Sequence, residues 1–150
     1  MTEVRPIGVA MRCEDVLRTD QSCLAAAREA LFRWAEVIAS RRVEDVLALY
    51  APDAILVPTL SDEIGEREED RRRYFEAFLS NDVQSCSILI QKKRVSRKLG
   101  TVVIGGLYTF RLLRGNLEEL VPARFLFTFE EIEGQWLITG HHSSRLSEVL

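Results

Sequence analysis

The sequence predicts an α+β domain in which three N-terminal helices pack on a curved, mainly antiparallel sheet. Three observations carry that reading. Apolar residues between Cys23 and Leu79 recur mostly at helical spacing. Every stretch after Asp82 is instead rich in β-branched and aromatic residues. The breaks between those later stretches carry Gly100, Gly115-Asn116 and Gly134, which suit tight turns. Helices first and strands afterwards give one layer of helix on one layer of sheet.

From Ser22 the pattern is helical: Leu31, Trp34, Ala35 and Ile38 recur at i, i+3, i+4 and i+7, which aligns them on one buried face. Val43, Val46, Leu47 and Tyr50 repeat the spacing after a polar break at Ser40–Arg42, so a second helix runs to Tyr50. Ala51-Pro52 ends it, because proline disfavours a helical conformation in the residue before it. "AILVP" is then a short strand closed by Pro58. "EREEDRRRYFEAFLSND" is the third helix; its acidic first turn suits the positive end of the helix dipole. Tyr74, Phe75, Phe78 and Leu79 form its apolar stripe. Four strands follow in "SCSILIQ", "TVVIGGLYTFRLL", "ARFLFTFEEI" and "QWLITGHHS". Gly105-Gly106 marks a bend or bulge, and Glu133-Gly134 a tight hairpin. Residues 1–21 show no period and read as an N-terminal arm, leaving 22–150 as a single domain.

A chain of 150 residues, 47% hydrophobic and 29% charged, suffices for one folded domain with a sizeable core. Its net charge of −3 argues against nucleic acid, whose backbone needs a basic face. The basic pieces QKKR and RKLG lie between apolar stretches and read as a solvated strand end. Cys13, Cys23 and Cys86 are odd in number and widely spaced, which supports neither a disulfide framework nor a zinc site. Glu3, Arg5, Pro6 and Arg12 stand where a signal peptide would need an apolar run, and no segment approaches the roughly 20 apolar residues of a membrane span. The expectation is a cytoplasmic protein with no membrane or nucleic-acid partner, no metal and no cofactor.

The segments "LYAPDAILVPTLSDE", "RRRYFEAFL", "GGLYTF", "ARFLFTFE" and "GQWLITGHHSSR" resemble, in that order, bacterial relatives of the calcium/calmodulin-dependent protein kinase II association domain. That group shades into SnoaL-like proteins of the nuclear transport factor 2-like superfamily, and the resemblance covers roughly Cys23 to Leu146. It implies a cone-shaped nuclear transport factor 2-like fold, self-association and a pocket inside the cone. Kinase activity does not follow, since no glycine-rich nucleotide loop, HRD-type loop or DFG occurs.

Strand side chains alternate faces. On an unbulged last strand, Trp136, Ile138, Gly140 and His142 share one face and Leu137, Thr139 and His141 the other. The two histidines therefore diverge and cannot chelate one metal ion. On the preceding strand Arg124, Leu126 and Thr128 oppose Phe125, Phe127 and Phe129. The resemblance implies an arginine inside the cone at Arg124 and a histidine at His142, with Tyr108, Trp34, Tyr74 and Trp136 as aromatic walls. Arg124 would then need an internal acid such as Glu76, or an anionic ligand gripped by two parallel hydrogen bonds. The same phase puts Phe125, Phe127, Phe129 and His141 on the outer face as a homodimer or higher-oligomer interface. The reversed phase would make the phenylalanines core and put Arg124 outside.

The ketosteroid isomerases, which share the cone, use a carboxylate base, a tyrosine and a protonated carboxylic acid. Laid on this chain, those positions fall on Pro58, Trp34 and Arg124, so that proton abstraction is not available. No GxSxG elbow supports Ser143 or Ser144 as a nucleophile. The sequence thus points to a self-associating protein that binds a small anionic organic ligand. The alternatives are an enzyme on a polar metabolite with His142 as general acid/base, and a purely structural oligomerisation module.

Overall fold

In the computed structural model, which describes residues 18–59 and 61–146, the first helix opens on a capping box. The Thr19 side chain accepts from the Ser22 backbone N–H at 3.0 Å, and the Ser22 hydroxyl accepts from the Thr19 N–H at 2.8 Å. Helix α1 spans Asp20–Ser40; its buried Leu31, Trp34, Ala35 and Ile38 form the expected stripe, which Cys23 and Ala27 extend toward the N-terminus. Of the arm expected over residues 1–21, residues 1–17 lie outside the described residues, and 20 and 21 belong to α1.

Helix α2 is only Val43–Leu47, and strand β1 runs Tyr50–Val57. The strand thus starts four residues before the expected Ala54 and includes Pro52. It tolerates proline because it is an edge strand, where a missing N–H costs no ladder bond. Helix α3 (Glu68–Leu79) follows, then β2 (Val83–Ser96), β3 (Thr101–Arg114), β4 (Leu117–Ile132) and β5 (Gln135–Arg145). The order across the sheet is β1-β5-β4-β3-β2, with β1 parallel to β5 and every other pair antiparallel. The helices cover one face of this sheet, as the nuclear transport factor 2-like expectation required. Among the described residues no helix is long and apolar enough to cross a membrane.

The β4–β5 turn places Glu133 and Gly134 at φ 51° and 82°, the pair of positive values a two-residue hairpin demands. At the expected irregularity the extra residue lies on β2, between Ile90 and Lys92, opposite Gly105-Gly106. A Cβ on Gly106 would sit 2.2 Å from the Leu89 carbonyl oxygen. Gly106→Ala is therefore expected to cost at least about 2 kcal/mol, because a backbone oxygen cannot swing aside like a flexible side chain. An unchanged urea midpoint would show that the bulge relaxes.

Candidate functional site

One irregular point on β5 and the phase of β4 decide which side chains enter the cone. On β5 Ile138 is buried opposite Phe129, and His141 is buried opposite Phe127. Those two residues are three apart and should alternate, but an extra residue between them, where the β4 register shifts at Thr128/Phe129, restores both to the inner face. His141, not His142, consequently enters the cone, and His142 is exposed on the outer face. On β4 the phase is the reverse of the one the resemblance implied. Phe125, Phe127 and Phe129 are core residues at 4%, 0% and 0% exposure, while Arg124 is exposed on the outside with Leu126. Burying three phenylalanines and leaving a guanidinium wet is the favourable choice on both counts. Glu76 is exposed on α3 and is not the internal partner considered for Arg124.

Inside the cone a chain of hydrogen bonds runs from helix to sheet. The Trp34 indole N–H donates to the Tyr50 hydroxyl at 3.1 Å, and that hydroxyl lies 2.8 Å from His141 Nδ1. His141 Nε2 lies 3.2 Å from the Tyr108 hydroxyl. One tautomer satisfies every group: Tyr50 donates to Nδ1, and Nε2–H donates to Tyr108. The ring stacks on Phe127 at 3.9 Å and meets Trp34 edge-on at 5.3 Å. Burial, with a smaller contribution from His142, pushes the His141 pKa down to about 3, so the imidazole is neutral. A neutral ring engaged at both nitrogens is a structural connector and not a poised base. Burial also raises the Tyr50 and Tyr108 hydroxyls well above their ordinary range.

Above this chain lies a cleft of about 390 Å³ between the loop after β1 and helix α3. Its apolar walls are Leu56, Pro58, Tyr74 and Phe78, and the same four residues line a one-water chamber of about 10 Å³ against Trp34, Tyr108, His141 and Ser143. Tyr74 stacks on Phe78 at 5.8 Å. Burial pushes the Tyr74 hydroxyl up to about 12. At the mouth Arg73 donates to Glu63 at 3.1 Å and to Asp70 at 3.0 Å. Asp70 also accepts the Glu66 and Arg67 N–H groups at 3.1 and 3.2 Å, and these bonds hold its carboxyl below the usual range.

Of the expected walls, Trp34, Tyr74 and Tyr108 meet at this chamber. Trp136 lies elsewhere, in a separate groove of about 690 Å³ with Phe32, Leu49 and Leu137. Two further buried groups complete the site. Tyr50 sits in β1 and not in the expected second helix, and it bridges Trp34 to His141. Arg71, 1% exposed, reaches under α3 to donate to the Ala54 carbonyl at 3.0 Å and the Pro52 carbonyl at 3.2 Å. Its guanidinium also lies over the Tyr50 ring at 5.7 Å. Its helical spacing to Phe75 and Leu79 was the available signal, since all three are buried. No group of histidine, cysteine and acidic residues suited to a metal ion occurs among the described residues.

The profile of the calcium/calmodulin dependent protein kinase II association domain matches residues 27–147. A solved protein of Xanthomonas campestris, provisionally named as such an association domain, is 37% identical. The match covers 82% of this chain and 88% of that one, with a TM-score of 0.74. A nuclear transport factor 2-like protein with a cystatin-like fold from Novosphingobium aromaticivorans is 11% identical over 85% and 84% of the two chains, with a TM-score of 0.67. A ketosteroid isomerase-like protein of Erwinia carotovora atroseptica is 13% identical over 91% and 99%, with a TM-score of 0.63. At those two identities the likeness shows the fold alone. No curated protein matches. A profile spanning most of the chain and a relative at 37% identity establish that this protein belongs to the calcium/calmodulin-dependent protein kinase II association-domain family, on the nuclear transport factor 2-like fold.

Proposed function

We propose that the protein is a non-kinase, self-associating member of this family that binds a small organic molecule in the cleft between α3 and the loop after β1. The observation that carries the ligand reading is the cleft of about 390 Å³ whose four apolar wall residues continue down to the hydrogen-bonded chamber. Concave, mostly apolar sites with a few convergent polar groups are where small ligands bind. Arg124 gives no reason for an anion there, since it is exposed on the other face of the sheet. Crystals of protein purified without stripping are expected to show density against Tyr74 and Phe78. Tyr74→Ala should weaken binding of whatever compound is identified by about tenfold or more, as loss of a stacking wall does. Retention of full affinity would move the site elsewhere.

Self-association runs through the outer face of the sheet. Ile55, Leu89 and Leu126 stand there at 50%, 58% and 48% exposure; Val57, His142 and Leu126 form one cross-strand row, and Arg124, Leu107 and Leu89 form the next. A patch of half-exposed aliphatics on a long sheet is apolar surface that a second copy would cover. Leu126→Lys is expected to shift the mass in light scattering toward the monomer without altering the circular dichroism spectrum. An unchanged mass would rule this face out.

A further inference from the structure

The cleft's charge pattern names a ligand class, an inference that rests on the cleft being the ligand site. Three charged side chains line it, and two of them are acids: Glu63 and Asp70 against Arg73. The single guanidinium is already committed to both carboxylates, at 3.1 and 3.0 Å. Arg67 approaches Asp70 at 3.6 Å from the exposed side, but it does not line the cleft. The surrounding segment has the same sign, with seven acids and four arginines between Asp62 and Glu76. One of those arginines, Arg71, is buried beneath α3 and turned to backbone carbonyls.

An incoming carboxylate or phosphate would therefore meet net negative charge, and it would reach Arg73 beside the two carboxylates already bonded to Nη2. A cation meets the opposite situation. Glu63 is open to a second partner, because its side chain is 70% exposed. Deeper in, the stacked faces of Tyr74 and Phe78 offer a negative quadrupole and an apolar surface. We propose that the cleft takes an organic ammonium or amidinium ion carrying an apolar or aromatic group, with its charge facing Glu63 at the mouth and its body against Tyr74 and Phe78.

A matched set of probes tests this on the full chain: 2-phenylethylamine, 2-phenylethanol and phenylacetate, followed by nuclear magnetic resonance shifts of cleft residues. The amine is expected to bind tightest and phenylacetate weakest. Glu63→Gln should weaken the amine about two- to fivefold and leave the alcohol unchanged, the range expected of one largely exposed ion pair. Arg73→Gln should tighten the amine, and added salt should narrow its lead over the alcohol. Phenylacetate binding tightest, or an amine indifferent to Glu63→Gln, overturns the charge assignment while leaving the cleft as a site. If no probe perturbs the cleft, the site reading itself falls and the ligand class with it.

Discussion

Arg71→Met is expected to lower the stability of the protein by about 2–4 kcal/mol, although it removes a buried charge. Two effects oppose each other here. Taking a guanidinium out of water is costly, and Arg71 has no carboxylate within reach among its described contacts to offset that. Its Nε also finds no acceptor among the described residues. On those grounds methionine should be the better residue. Against this stand the Ala54 and Pro52 carbonyls, which lie on an edge strand and take their donors from Arg71. Without it the buried Ala54 acceptor is stranded at a cost of about 1–3 kcal/mol, while the part-buried Pro52 carbonyl can turn to water, and the contact with the Tyr50 ring is worth about 0.5–2 kcal/mol more. The lost bond and ring contact should win. Urea unfolding of Arg71→Met decides between the two, and a neutral or stabilised variant would mean that dehydration of the guanidinium dominates. Arg72→Met is the matched control. That side chain is half-exposed on the same helix, paired with Glu44 and Glu68, and its loss should leave stability nearly unchanged.

The contrast between Arg71 and Arg72 shows what the sequence could and could not reveal. Element order, the helical stripe on α1, the Glu133-Gly134 hairpin and the fold class were all readable, because each follows from local periodicity or turn chemistry. The buried arginine was readable in principle. Arg71, Phe75 and Leu79 are each four apart, so an arginine heads a buried ladder. Tyr50 departs from the expected helix because helical spacing continues by chance past Leu47 into an edge strand.

The inversion of the two histidines has a different origin. Alternation is reliable only in an unbroken strand, and the extra residue in β5 after Ile138 exchanges the faces of everything that follows. The one mark of it in "LITGHH" is Gly140, the kind of strand glycine that signals a bulge at Gly105-Gly106. The neighbouring strand did carry the information. Three alternate phenylalanines outweigh one arginine as candidates for the core, by about 1.5–3 kcal/mol for each ring buried. Anchoring the phase on Phe125, Phe127 and Phe129 would have sent Arg124 outward, and pairing with β4 would then have brought His141 in.

His141 carries the second large effect, a dependence of stability on mild acid. Its pKa is about 3 in the folded protein against 6.5 for an ordinary histidine, with burial as the main cause. Between those values the unfolded chain holds a proton that the folded chain does not, so stability rises with pH across that window. The contribution is complete above pH 6.5 and is lost progressively as the pH falls toward 3. One such proton lowers stability by about 2 kcal/mol between pH 7 and pH 5. That interval lies above the range where ordinary carboxylates titrate. His141→Phe removes the titrating ring but keeps a flat apolar group against Phe127. It should unfold more easily at pH 7, by about 1–3 kcal/mol, because Tyr50 loses its acceptor and Tyr108 a donor. Its stability should then change much less than the wild type's between pH 7 and pH 5, so that the two curves converge. Parallel curves would show that the proton responsible binds at another group, and would leave the Trp34–Tyr50–His141–Tyr108 chain as packing without an electrostatic consequence.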